Sequence, residues 1–254
     1  MNSILRQTLP PKPTRKLRLI HTSDLHLGDP AGYPRAEEVL ALVVEAVSRL
    51  DGDALLLAGD VFDNERVSDD VVERFVAQVA RVAAPVVLLP GNHDLAHRTS
   101  VYLRSPFLDS PPNLHVIREP DGETLDFPEL GLELWGRAML SHTPGFRPLD
   151  GMPEPAEDRW LVAMAHGHFH YENDRDQRSS PIYPEDVSAS GCHYLALGHW
   201  DRHVDVSCGD VTAVYSGCPY GPIGAPEQGA VCVVDLDPVE GVSYRLELLR
   251  EPAR

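Results

Sequence analysis

The stretch RLIHTSDLHLGD, Arg18 to Asp29, decides how this chain is read. Leu17 to Ile20 is an apolar run, interrupted only by Arg18, of the kind that forms a buried strand, and it soon breaks into Asp24-Leu25-His26. A strand that delivers a carboxylate and an imidazole at its end has two readings. Either Asp24 caps an ordinary turn and His26 is solvated, or both are metal ligands. The choice depends on whether other strands end in the same way.

They do. The run ALLLAGD ends at Gly59-Asp60, PVVLLPGNHD at Asn92, His93 and Asp94, WLVAMAHGH at His166, and YLALGHWD at His199 and Asp201. Between the first three runs lie two segments of helical spacing. Ala36 to Leu50 carries Val39, Val43, Ala46, Val47 and Leu50 on one face. The second opens on Ser68 as an N-cap with two acids after it, and carries Val72, Phe75, Val76 and Val79. A β-α-β-α-β order predicts a parallel sheet covered by helices, and such sheets place their sites beyond the carboxyl ends of the strands. A lone Gly-Asp is usually a turn, and a lone histidine is usually satisfied in the core or in water. Five strand ends with the same chemistry are a metal site. Carboxylate, amide oxygen and imidazole without thiolate suit manganese, iron or zinc better than calcium.

From about Arg98 to Asp158 the pattern loosens into Pro-rich loops around short strands such as LHVI and LELWG, and the tail (VTAVYSG, AVCVVDLD, VSYRLELL) alternates like antiparallel strands. We expect residues 1–16 to be a short disordered lead-in and residues 17–254 a single domain. With 43% hydrophobic and 24% charged residues, the 254-residue chain reads as soluble and able to bury a core. No apolar run approaches the ~20 residues of a membrane span. The four cysteines show no C-x-x-C spacing, which fits a reduced, cytoplasmic protein. A formal charge of −17 disfavours a standalone nucleic-acid binder, since phosphates are held by Lys and Arg.

The ordered blocks Asp24-Leu-His26, Gly59-Asp60, Gly91-Asn92-His93-Asp94, His166 and Gly198-His199-Trp200-Asp201 resemble the signature of the calcineurin-like metallophosphoesterase superfamily. The wording HTSDLHLG, LAGDVFD, LPGNHD and YLALGH looks most like the branch of the double-strand-break-repair exonuclease subunits. That resemblance implies an α/β fold of two stacked mixed β-sheets flanked by helices, a four-layer sandwich with two divalent metals, usually manganese. It implies that Asp24, His26 and Asp60 hold metal one with a ligand from the last block. Asp60, Asn92, His166 and His199 would hold metal two, with Asp60 bridging. It makes His93 the general acid, with Asp94 orienting it, and the reaction an attack on phosphorus by a hydroxide bridging the metals.

Two departures shape the expectation. Asp201 stands where the family has a second histidine, and His203 follows it; we favour Asp201 as the metal-one ligand because it holds the motif position. Asp63 stands where the nuclease branch often has a histidine. We therefore expect a metal-dependent phosphoesterase acting on phosphodiesters. A DNA exonuclease subunit with a partner ATPase is the alternative, and a non-catalytic interaction module on the same fold is a third reading. The retained acid His93 argues against that module. His168 and His170 are expected to be solvated, His21 and His193 structural, and Arg137 a surface ion pair rather than a phosphate contact.

Overall fold

Apolar side chains that alternate between two faces of the same strand build this protein from the inside. The computed structural model describes residues 13–156, 158–175, 178–220 and 229–249. Most of the expected lead-in, residues 1–12, lies outside the described residues.

The chain runs β1 (Leu17–Thr22), α1 (Ala36–Arg49), β2 (Ala54–Ala58), α2 (Asp69–Val79), β3 (Val86–Leu89), α3 (Ser105–Leu108), β4 (Leu114–Val116), β5 (Glu123–Phe127) and β6 (Leu132–Gly136). It continues with β7 (Trp160–His166), β8 (His168–Phe169), β9 (Pro181–Ile182), α4 (Pro184–Ala189), β10 (Tyr194–Gly198), β11 (Val204–Asp205), β12 (Thr212–Tyr215), β13 (Ala230–Asp237) and β14 (Gly241–Leu248). Two six-stranded sheets result, in the orders β14-β13-β1-β2-β3-β4 and β11-β12-β10-β7-β6-β5. Both are mixed. β1, β2, β3 and β4 are mutually parallel, and β13 returns antiparallel on β1. In the second sheet β6, β7, β10 and β12 are parallel.

Successive residues of a strand point to opposite faces, so one strand serves two cores. Ile20, Leu55, Leu57, Val86 and Leu88 pack under Val43, Val47 and Phe75 of α1 and α2. Their neighbours Leu19, Leu56, Ala58 and Val87 meet Val162, Met164 and Ala196 of the second sheet. The outer face of that sheet, with Leu161, Ala163 and Leu195, is covered by Ile182 and Val187. Burial on both faces explains why β2 and β7 read as unbroken apolar runs rather than alternating ones. The order is helices, sheet, sheet, helix and loop. No helix among the described residues is long and apolar enough to cross a membrane. All four cysteines are free.

One local expectation needs correction. β12 is parallel to β10 and antiparallel only to the short β11, so the tail is not uniformly antiparallel. A four-residue alternation cannot by itself fix direction. Ser68 does occupy the N-cap of α2 in extended geometry, but its side chain makes no capping hydrogen bond. The negative charge of Asp69 and Asp70 against the helix dipole is what marks that end.

Candidate metal centre

Parallel pairing carries β1, β2 and β3 to one edge of the first sheet, and β7 and β10 to one edge of the second. The two edges meet. His166, the last residue of β7, donates from Nδ1 to the carbonyl of Ala58 at 2.8 Å, which joins the end of β7 to the end of β2. The amide of His199 donates to Asp24 Oδ2 at 3.1 Å, joining β10 to β1. Glycines allow this approach. A Cβ on Gly59 (φ +94°) would sit 2.1 Å from His166 Nδ1, and one on Gly91 would sit 2.2 Å from Asp60 Oδ1. The chain is also held in a costly conformation here. Asp24, His26, Asp60 and His199 all have positive φ, where each non-glycine residue costs ~1–3 kcal/mol.

Asp60 is the hub. Its Oδ1 accepts from the His93 amide at 2.8 Å, and its Oδ2 lies 3.2 Å from His166 Nε2. Asn92 Oδ1 lies 3.0 Å from the same His166 nitrogen and accepts from His199 Nδ1 at 2.8 Å. Three groups of side chains among the described residues bring potential ligand atoms within 4.8 Å of one another: Asp24, His26 and Asp60; Asp60, His166 and His199; and His26, Asp63 and His93. Asp60 belongs to the first two. His26 stacks on Tyr33 at 4.7 Å, and its buried Nδ1 lies 3.6 Å from Asp63 Oδ1 with no hydrogen-bond partner. A cleft of about 230 Å³ opens over these residues, lined also by Asp63, Asn92, His93 and Asp201.

The electrostatics fit a cation. Burial pushes the Asp24 carboxyl up to about 7, with His166 opposing and Asp60 adding to the rise. Burial works against a charge on His166, but Asp60 beside it, with Asp24, outweighs burial and holds the imidazole up at about 9. Burial and then His166 push His199 down to about 3. Buried carboxylates this close require positive charge between them, from a proton or a metal ion. Nitrogen and oxygen donors without thiolate match manganese, iron or zinc. Metal and proton then compete for His166 Nε2. Below about pH 9 the proton occupies it, so manganese affinity is expected to rise as pH is raised from about 6 to about 9, with proton release on binding. Calorimetric titrations at several pH values check this, and an affinity flat across that window would remove His166 from the ligands.

The remaining expected residues fall as follows. His93 is part-exposed at the cleft and donates from Nδ1 to the Asp63 carbonyl at 2.7 Å, which leaves Nε2 free. Asp94 is fully buried, and its carboxylate takes hydrogen bonds from the amides of Phe62 (3.0 Å) and Gly91 (2.7 Å) and from the Tyr102 hydroxyl. It holds the loop that carries His93 and does not bond the His93 ring. Asp201 lines the cleft and exerts its charge on His26. His203 instead lies against Tyr244, with its Nδ1 buried. His170 is buried, correcting the expectation of a solvated ring; it stacks on Tyr183, and His168 accepts from Trp200 Nε1 at 3.2 Å. His21 bonds the Tyr194 hydroxyl and His193 accepts from the Leu161 amide, both as structural groups. Arg137 is tied to the carbonyls of Pro120 and Arg147 and lies 3.5 Å from Asp150.

Tyr33 and His142 are residues that the sequence did not single out. His142 lies 5.5 Å, ring to ring, from His199. It follows β6, a further strand ending at this edge, but the loop between Gly136 and His142 hides the pattern.

The sequence profile of the calcineurin-like phosphoesterase family matches residues 17–202. Among curated proteins, the SbcD component of the SbcCD nuclease of Bacillus subtilis is 25% identical over 92% of this chain and 70% of its own length. Its namesake from Rhodobacter capsulatus is 34% identical over 56% of this chain and 32% of its own length. Among solved structures, a Thermus thermophilus protein superposes with a TM-score of 0.59 at 12% identity, over 93% of this chain and all of that one. A dimetal phosphatase of Danio rerio gives 0.57 at 11% identity, over 92% and 99% of the two chains. A purple acid phosphatase from yellow lupin seeds gives 0.56 at 14% identity, over 93% of this chain and 52% of that one. At such identities the structural likeness is one of fold.

Proposed function

The chain belongs to the calcineurin-like phosphoesterase family, metal-dependent hydrolases of phosphoester bonds, and on that premise we propose a two-metal phosphodiesterase. The carrying observation is Asp60, which stands in two of the three ligand groups and joins the Asp24–His26 pair to the His166–His199 pair. One carboxylate with two oxygens serves two adjacent cations and offsets part of their repulsion. Asp24, His26 and Asp201 would complete the first position, and Asn92, His166 and His199 the second. Divalent ions there supply Lewis acidity and lower the pKa of bound water, and manganese matches the donor set.

The chain's own residues do the rest. The Asp63 carbonyl fixes the ring of the cleft-lining His93 through Nδ1, which leaves Nε2 to act as the proton donor to the leaving oxygen. Asp94 is a positioning residue that fastens the loop of Asn92 and His93 to Phe62 and Tyr102. The Ala58 carbonyl fixes the His166 tautomer, leaving Nε2 for the ligand side.

Purified protein is expected to hold close to two divalent ions per chain, to lose hydrolysis on chelation and to regain it with manganese. A panel of aryl phosphomonoester, aryl phosphodiester, cyclic nucleotide and single-stranded DNA substrates tests the specificity. Activity untouched by chelator, with no ion by elemental analysis, would overturn the reading. The likeness to the SbcCD nuclease component supports a second reading, a DNA exonuclease working with a partner. Cleavage of the DNA in the panel with the aryl diester left intact would select it.

A further inference from the structure

We propose that His142 is a substrate-binding residue, presenting Nε2–H to an anionic oxygen of the phosphoryl group from the His199 side of the cleft. The proposal rests on the phosphoesterase reading and names a contact outside the five ligand-bearing strand ends.

The loop after β6 is fastened at both ends to the site. Its Met139 carbonyl accepts from the amide of Ala96, just beyond Asp94, at 2.8 Å, and its Thr143 carbonyl accepts from the amide of Ser180 at 2.8 Å. Ser180 is fully buried and has φ +49°, so the fold keeps a strained residue there. Strain of this kind collects where geometry is over-determined by function. The Ser180 hydroxyl lies 3.1 Å from His142 Nδ1 and 3.7 Å from the Met139 sulfur. It has one proton to give, and an imidazole nitrogen is a far better acceptor than a thioether. Donation to Nδ1 places the ring proton of neutral His142 on Nε2.

The ring is half-buried, 5.5 Å from the His199 ring, and it feels the charges of His166, Asp60 and His93. It borders the centre beside His199. Among the described residues it lies outside the three groups whose ligand atoms approach within 4.8 Å of one another. The cleft is lined by Asp24, Asp60, Asp63 and Asp201, which repel an anionic oxygen unless donors stand opposite them. His93 lines the cleft as one such donor, and His142, beside the cleft-lining His199, is placed to supply another.

The test uses manganese-loaded protein, orthophosphate as the probe, and the variants His142→Ala and His142→Gln. A hydrogen bond to a charged group is worth ~1.5–3 kcal/mol, so orthophosphate affinity in His142→Ala is expected to fall about ten- to hundredfold. Metal content and melting temperature should stay at the wild-type values. KM should rise with a smaller change in kcat, the mark of a binding contact. Glutamine, whose amide can donate to the same oxygen, should recover part of the loss. Unchanged orthophosphate affinity in His142→Ala overturns the role of His142 alone. A fall to one ion per chain overturns it too, by making His142 a ligand. Wild-type protein that takes up no ion sinks the hydrolase reading together with this one.

Discussion

Asp60→Asn is expected to lower kcat/KM on the order of 10³-fold or more, about 4 kcal/mol of transition-state stabilisation, and to reduce metal content at both positions. The amide is close in shape to the carboxylate and can still accept from the His93 amide, where Oδ1 now sits at 2.8 Å. What it lacks is the charge. That charge faces His166 at 3.2 Å and belongs to two of the three ligand groups, whereas Asp24 belongs to one. Asp24→Asn should therefore be milder and should empty one position preferentially. Steady-state kinetics with elemental analysis of both variants decides the matter. Equal residual activity with equal metal content would remove the bridging role.

His93→Ala should keep its metal and lose turnover in proportion to the basicity of the leaving group. A general acid contributes ~10²–10⁴-fold where the leaving oxygen needs a proton, as an alkoxide does, and little where it departs readily, as nitrophenolate does. A Brønsted series of diesters measured on wild type and variant should diverge toward the alkyl end. His93 donates through Nδ1 to the Asp63 carbonyl, so it acts from a fixed orientation, and its loss leaves the ligand loop anchored through Asp94. Parallel Brønsted lines would show that the proton comes from elsewhere.

Much of the first sheet was legible because its strands are buried on both faces and end in short motifs. Leu55, Leu56 and Leu57 cannot be a solvated segment, and Gly59-Asp60 follows the strand directly. The same directness exposed Asn92, His166 and His199. What stayed hidden depends on contacts between distant segments. Glu123–Phe127 is a half-exposed edge strand whose alternation is too weak to separate from the Pro-rich loops around it. His170 is buried because Tyr183, from another segment, stacks on it. His142 reaches the centre through a loop fastened by Ala96 and Ser180, neither adjacent to it in sequence. Asp94 looked like a partner for the neighbouring ring, and only the positions of Phe62, Gly91 and Tyr102 reveal that it braces the loop.

The division of the centre between the two sheets would give bound ions a second task. Asp24, His26, Asp60 and Asn92 follow strands of the first sheet, and His166 and His199 end or follow strands of the second. An ion held by Asp60 and His166 would thus tie the two layers together, beside the left-handed backbone of Asp24, Asp60 and His199. A ligand that binds only the folded state stabilises it by RT ln(1 + [L]/Kd), about 4 kcal/mol at a thousandfold excess over Kd. Depletion of that ion would therefore loosen the seam between the layers, admitting proteases before the helices unravel. The metal supply of the surroundings would then govern how long the molecule lasts as well as how fast it works.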